Sequence, residues 1–215
     1  MNLDYLTFIE TMQKLPDKEV KIYYAVGELI KEGRDISTLK ISEISARAGI
    51  GKGTTYEYFQ SKEELISKAM FFLMFVCVRS ILEITLEEGC FKDKFYKILD
   101  YMWGNRLDHQ TLQSIIEAAK GLGNQNMAGA SMHFECADEK NLILMVEALL
   151  KRFIDQGVEE GIFTETDSVY RKNVLCTQFI LYIFLIQDIP EDADKKEVED
   201  FVYNGLVNLL NLRNA

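Results

Sequence analysis

Ile22, Ala25, Val26, Leu29 and Ile30 recur at i, i+3, i+4, i+7 and i+8, a spacing that puts them on one face of a helix. The pattern predicts a first helix that starts near Asp17, capped by that residue after Pro16, and stops at Gly33. A polar connection, "RDISTL", leads to a second helix of about two turns, with Ile41, Ile44 and Ala48 on its apolar side. Gly49 follows the last periodic residue and is read as a left-handed C-terminal closure, with Ile50 as a plug in the corner. A third short helix is expected from about 52 to 59. Ser61 to Glu64, "SKEE", reads as a capping box, so a fourth helix begins there and runs on through "LISKAMFFLMFVCVRSILEI". Beyond Gly89, helices are expected near 91–106, 108–120, 138–160, 167–187 and 192–212, with a glycine- and asparagine-rich loop, Gly121 to Ser131, between two of them.

Only two prolines, Pro16 and Pro190, interrupt this pattern, so the expected fold class is all-α. The predicted organisation is an N-terminal three-helix domain, residues 1–69, with an extra segment 1–16, joined to a larger helical domain, 70–215. Residues 1–16 read either as a further helix or as an arm. Two late helices carry more apolar surface than one face needs. Phe179 to Ile186 is an unbroken apolar run, and Val198, Phe201, Val202, Leu206 and Leu209 are read as one stripe of the last helix. Together they suit half of an intersubunit four-helix bundle, which predicts a homodimer through the last two helices. The alternative is a wholly internal core.

The longest apolar run, Ala69 to Val78, is too short for a membrane span, and the N-terminus lacks a basic start and a small-residue cleavage site. The four cysteines, Cys77, Cys90, Cys136 and Cys176, are scattered and form no C-x-x-C pair, which points to free thiols in a reducing compartment. A cytoplasmic protein without membrane contact is expected.

Charge sharpens the picture. The formal net charge is -10, yet residues 1–69 hold ten basic against eleven acidic residues, whereas 70–215 hold fourteen against twenty-three. Between Lys40 and Lys62 the balance turns positive, through Lys40, Arg47, Lys52 and Lys62 against Glu43 and Glu57. Two helices joined by a glycine-centred turn form a helix-turn-helix, whose second helix enters a DNA major groove. Ala46 and Ala48 are expected to keep the first of these helices thin where the second crosses it. Gly51 and Gly53 bracket Lys52, leaving room for a phosphate near backbone N–H groups.

The stretch "AGIGKGTTYEYFQSKEEL" resembles the signature of the TetR-type (tetracycline-repressor-like) regulators, A-G-V-S-K-G-T-L-Y-x-H-F-x-S-K-E-E-L. The resemblance covers about Lys18 to Met70, and "FIDQGVEEGIF", Phe153 to Phe163, is similar to a segment common in the family's second domain. It implies an all-helical homodimeric transcriptional repressor that holds a palindromic double-stranded DNA operator and is released by a small-molecule effector. Lys52, Gly53, Thr54, Tyr56, Phe59 and Lys62 fall on the family's pattern, and Tyr58 stands where histidine or tyrosine is usual. Three positions depart from it: Lys40 for a capping threonine or serine, Gly51 for a serine, and Thr55 for a large apolar residue. The DNA-binding candidates are Lys40, Ser42, Lys52, Gly53, Thr54, Thr55, Tyr56, Tyr58 and Lys62. Glu57 would either accept from a cytosine amino group or stay a solvated carboxylate.

The resemblance places an effector pocket in the second domain. Ligand candidates there are Trp103, Asn105, His109, Met127, His133, Phe134, Gln178 and Tyr182, with Tyr101, Met102 and Phe184 nearby, suiting a hydrophobic or aromatic effector. No cofactor and no metal site is expected; His133, Glu135 and Cys136 would need a further donor, such as His109 or Cys90. Two other readings are a partner-binding adaptor that has lost DNA binding, and a helical enzyme with His109 or His133 as base.

Overall fold

The computed structural model of the chain describes residues 15–105, 150–164, 167–187, 189–190 and 192–212. These residues are helical, with no strand among them, as the all-α expectation requires. They fall into two compact units that divide between Val78 and Arg79, inside the fourth helix and beyond the 69/70 break read from the sequence. The expected helix at 108–120, the loop Gly121 to Ser131, residues 1–14 and the first part of the helix expected at 138–160 lie outside the described residues.

The first unit begins with α1 (Asp17–Lys31). Asp17 does not cap it. Pro16 is the N-cap, and its carbonyl accepts from the N–H groups of Glu19 and Val20, while Asp17 and Glu19 place negative charge in the first turn. The inner face of α1 is the predicted one, Ile22, Ala25, Val26, Leu29 and Ile30, with Tyr23 added. Gly33 closes the helix at φ +76°: its own N–H donates to Ile30 and that of Arg34 reaches back to Leu29. The next turn is built on Asp35, whose carboxylate accepts from the Ser37 N–H and hydroxyl. These bonds hold the Asp35 carboxyl below its usual range.

Three more helices complete this unit: α2 (Ile41–Arg47), α3 (Lys52–Tyr58) and the N-terminal part of α4 (Lys62–Leu86). Ser61 caps α4 by accepting from the Glu64 N–H, and the Glu64 carboxylate reaches back to the Gln60 N–H. α4 lies close against α1: a side chain at Gly27 would meet Leu73 at 3.0 Å. Leu65, Ile66, Ala69 and Phe72 of α4 are buried, as are Ile36, Leu39, Ile41, Ile44 and Phe59.

The second unit holds the end of α4 with α5 (Phe91–Gly104), α6 (150–159), α7 (Ser168–Leu185) and α8 (Lys196–Asn211). Its core is aromatic at one end, where Phe91 stacks on Phe153 at 4.4 Å and meets Phe163 edge-on at 4.8 Å. The segment Phe153 to Phe163 is shaped by its glycines. A Cβ on Gly157 would overlap the ring of Phe163, and Gly161, at φ +71°, lets the chain turn so that the Ile162 N–H returns to the Gly157 carbonyl. α8 starts later than expected because 192–195 is a turn, in which Asp194 accepts from the Lys196 N–H.

The last helix does not present one apolar stripe. Val202 and Leu206 point inward with Tyr203 and Leu210, whereas Phe201 and Leu209 are exposed, at 61% and 37%. α8 thus has two apolar faces, and the described residues cover one. α7 behaves alike: Tyr182 is buried, as is Ile186 just past its end, while Ile180, Phe184 and Leu185 are exposed.

Candidate nucleic-acid interface

α2 and α3 meet through a turn that glycine makes. Gly49 takes φ +67°, its N–H donating to Ala46 and that of Ile50 to Ser45, which closes α2 as the sequence predicts. Ile50 is half-buried, so its plug is partial. Ala46 is exposed and does not face α3. Ser45 takes that role: it is buried, its hydroxyl donates to the Ile41 carbonyl at 2.6 Å, and it lies 2.8 Å from the Thr55 hydroxyl.

Thr55 is therefore corrected as a DNA-binding candidate. It is fully buried, and its hydroxyl is engaged with Ser45 across the two helices, so it reaches no groove. A large apolar residue would lock the pair by shape, and here a hydroxyl pair does so. Phe59, also buried, holds the other end of α3, its ring centroid 5.8 Å from that of Tyr23.

With Thr55 and Phe59 turned inward, the opposite face of α3 is set by helical geometry. Lys52, Gly53, Tyr56 and Glu57 are exposed, as is Gln60 just past the helix, and Thr54 and Tyr58 are half-buried at its flanks. Nothing stands within 4 Å of where a Gly53 side chain would begin. The Lys52 ammonium lies 5.8 Å from the Tyr56 ring centroid. Ser42 and Lys40, at the start of α2, are exposed too.

The positive balance of this stretch is partly spent inside it. Arg47 makes two hydrogen bonds to Glu32, at 2.7 and 2.8 Å, and Arg34 pairs with Glu43 at 2.6 Å. The Arg47 and Arg34 bonds hold the carboxyls of Glu32 and Glu43 below their ordinary range. Glu43 also accepts from the Lys40 N–H at 3.0 Å, supplying the start of α2 with the cap that a lysine side chain lacks. Lys62 donates to the Ser37 carbonyl at 2.5 Å and so ties α4 to the α1–α2 connection. Among the described residues, Lys40 and Lys52 keep exposed ammonium groups outside any ion pair.

Residues 30–69, which contain α2, α3 and the turn between them, match the family of bacterial regulatory proteins, tetR family. This segment is similar to the DNA-binding segment of TetR-type transcriptional regulators. Over 49 residues the chain is 41% identical to an HTH-type transcriptional regulator of Staphylococcus aureus (strain MRSA252). That match spans 23% of this chain and 26% of the curated relative. Its fold resembles the solved structure of a TetR/AcrR-family transcriptional regulator from Thermobifida fusca, with TM-score 0.58, 17% identity, and 90% and 98% of the two chains covered. It also resembles the regulator FadR of Bacillus subtilis, solved in complex with stearoyl-CoA, with TM-score 0.52, 19% identity, and 89% and 97% covered.

In the second unit of the chain, the ligand candidates scatter. Tyr182 is fully buried in the core and Gln178 is buried against Gly205, whose missing side chain makes room for its amide. Trp103 is half-buried with the Lys195 ammonium 5.7 Å from its ring. Asn105 is exposed, and its amide donates to the Tyr101 carbonyl at the end of α5. His109, Met127, His133 and Phe134 lie outside the described residues. A cleft of about 730 Å³ does open in this unit, but its lining is largely charged: Lys94, Lys151, Arg152, Asp155, Glu159 and Glu160 are among its walls. Neither Trp103 nor Tyr182 lines it.

One side of that cleft is a polar network, buried only at Lys94, that the sequence did not reveal. Lys94, 6% exposed, donates to the Thr85 carbonyl at 3.2 Å and to Gln156 at 2.9 Å. Gln156 donates to Glu160, whose two carboxylate oxygens accept from the first N–H of α5, that of Phe91. Glutamine and glutamate at i and i+4 in "FIDQGVEEGIF" were the signal for it. Among the described residues no cluster of three or more histidine, cysteine or acidic side chains could hold a metal ion. Cys90 is exposed, Cys77 and Cys176 are half-buried, and burial pushes the Cys176 thiol up. No described helix is long and apolar enough to cross a membrane.

Proposed function

We propose that this protein is a TetR-type, ligand-responsive repressor in the cytoplasm that binds a palindromic operator as a homodimer and leaves it when a small molecule binds. The observation that carries the DNA part is the outward face of α3. Buried Thr55 and Phe59 pin the helix from behind, so Gly53, Tyr56 and Glu57 stand free to enter a major groove, with exposed Lys52 at the start of the helix toward the phosphates. Thr54 and Tyr58 at the flanks, and Lys40, Ser42 and Lys62 beside them, meet the phosphates. The N-terminal part of the chain reads DNA, and the remainder pairs the subunits and takes the effector.

The pairing is supported by the uncovered apolar faces of α7 and α8, which a second copy would bury as a four-helix bundle. The effector is a hydrophobic or aromatic small molecule. FadR of Bacillus subtilis was solved with stearoyl-CoA, so long-chain acyl thioesters are the first class to try. α4 runs without a break from Lys62 to Leu86, and its shift would carry the effector's signal to the reader. A ligand that binds the released conformation better by about 1–3 kcal/mol would lower operator affinity fivefold to hundredfold. The test is retention of palindromic duplexes from the protein's own promoter region, with and without acyl thioesters. Specific, salt-dependent retention is expected, and its absence across a genome-wide duplex selection would refute the reading.

A further inference from the structure

Glu57 is misplaced for a protein that approaches a polyanion. It is exposed on the same face of α3 as Gly53 and Tyr56, one helical turn beyond the glycine. Several other acidic residues near the reader are occupied, Glu32 by Arg47, Glu43 by Arg34 and Glu64 by Lys68, and exposed Glu63 lies on α4 and not on α3. Glu57 enters no ion pair or hydrogen bond among the described residues.

Thr55 and Phe59 fix the rotation of α3, so the helix cannot present its other face to DNA while hiding Glu57. Any major-groove approach by the exposed stripe brings this carboxylate against base edges between two rows of phosphates. There it is repelled and stripped of water unless a base offers it an N–H group. The major groove holds two such donors, the amino groups of cytosine and adenine. Adenine sets its N7 acceptor beside its amino group, which opposes a second carboxylate oxygen, so cytosine is the better match.

Resting on the DNA-binding reading above, we infer that Glu57 selects a cytosine at one position in each half of the operator. It does so chiefly by rejecting every sequence that leaves its charge unmatched. It also lowers affinity for random DNA, keeping non-specific binding weak on a reader with few unpaired cations.

The test uses the full-length protein. Duplexes are selected from a randomised library with the wild type, and wild type, E57A and E57Q are then titrated on the selected site and on its single-base variants. For the wild type, one cytosine per half-site is expected, with about a tenfold or larger loss when it is replaced. E57A should erase that one preference, keep the others and bind random duplex more tightly. E57Q should move the preference toward adenine, which a glutamine amide contacts through both N6 and N7. Equal thermal midpoints for the three proteins would show that folding is unchanged. A site whose base preferences all survive E57A overturns this inference alone, whereas a wild type that enriches no sequence overturns the DNA-binding reading with it.

Discussion

The outer face of α3 and the outer faces of α7 and α8 are both left open by the described residues, but they are open in different ways. On α3 the exposed residues are Lys52, Gly53, Tyr56 and Glu57, and water satisfies them at no penalty. On α7 and α8 they are Ile180, Phe184, Leu185, Phe201 and Leu209, whose hydration is unfavourable until something apolar covers them. A polar face can wait for a partner, and an apolar one is rarely left waiting. The first therefore suits a reversible, salt-sensitive encounter and the second a standing one. The proposed function calls for both, since a two-part operator is met by two readers held together.

The largest expected effect breaks the apolar side. Replacing Phe184 and Phe201 together by alanine removes two side chains worth about 1.5–3 kcal/mol each on burial. Sedimentation should show a dimer for the parent and mainly monomer for the double variant, with helical content unchanged because both rings are exposed in the single chain. A variant that stays dimeric would place the pairing surface elsewhere. A smaller effect sharpens the polar side. Lys52→Ala should weaken binding to all duplexes about equally and reduce the slope of log affinity against log salt by about 1, as loss of one phosphate contact does. Sequence-selective loss instead would move Lys52 from the phosphates to a base edge.

The parts that were legible in the sequence are those written in local chemistry. Gly33 and Gly49 were readable as helix ends because a left-handed closure favours glycine, and both have positive φ. Ser61 and Glu64 were readable because a cap acts over three residues. What escaped lies between distant positions or on a second face. Arg47 and Glu32 are fifteen residues apart, so nothing local showed that this arginine's charge was already taken. The last helix carries apolar residues on two sides, and listing Val198, Phe201, Val202, Leu206 and Leu209 together merged an inward set with an outward one. Of the effector candidates, half lie outside the described residues, and the others occupy a core position, a helix end or a half-buried ring rather than one cavity wall.

Thr55 gives the smallest and most discriminating test, because it was placed on the DNA face by its sequence neighbours and in the interior by packing. Its polar neighbours from Lys52 to Tyr58 made Thr55 look like a contact, yet a hydroxyl can also serve as a buried lock. Thr55→Val keeps the shape and removes the bond to Ser45. Ser45 retains its bond to the Ile41 carbonyl, so no buried donor is orphaned. A stability loss of about 0.5–1.5 kcal/mol is therefore expected in denaturant titration, the net worth of one such hydrogen bond. Operator affinity, measured where both proteins are fully folded, should stay within about twofold of the parent, less than the roughly 1 kcal/mol or more that loss of a base contact brings. If instead Thr55→Val kept its stability and lost its site, α3 would have to turn on binding, and the division between its inner and outer faces would hold only for the DNA-free chain.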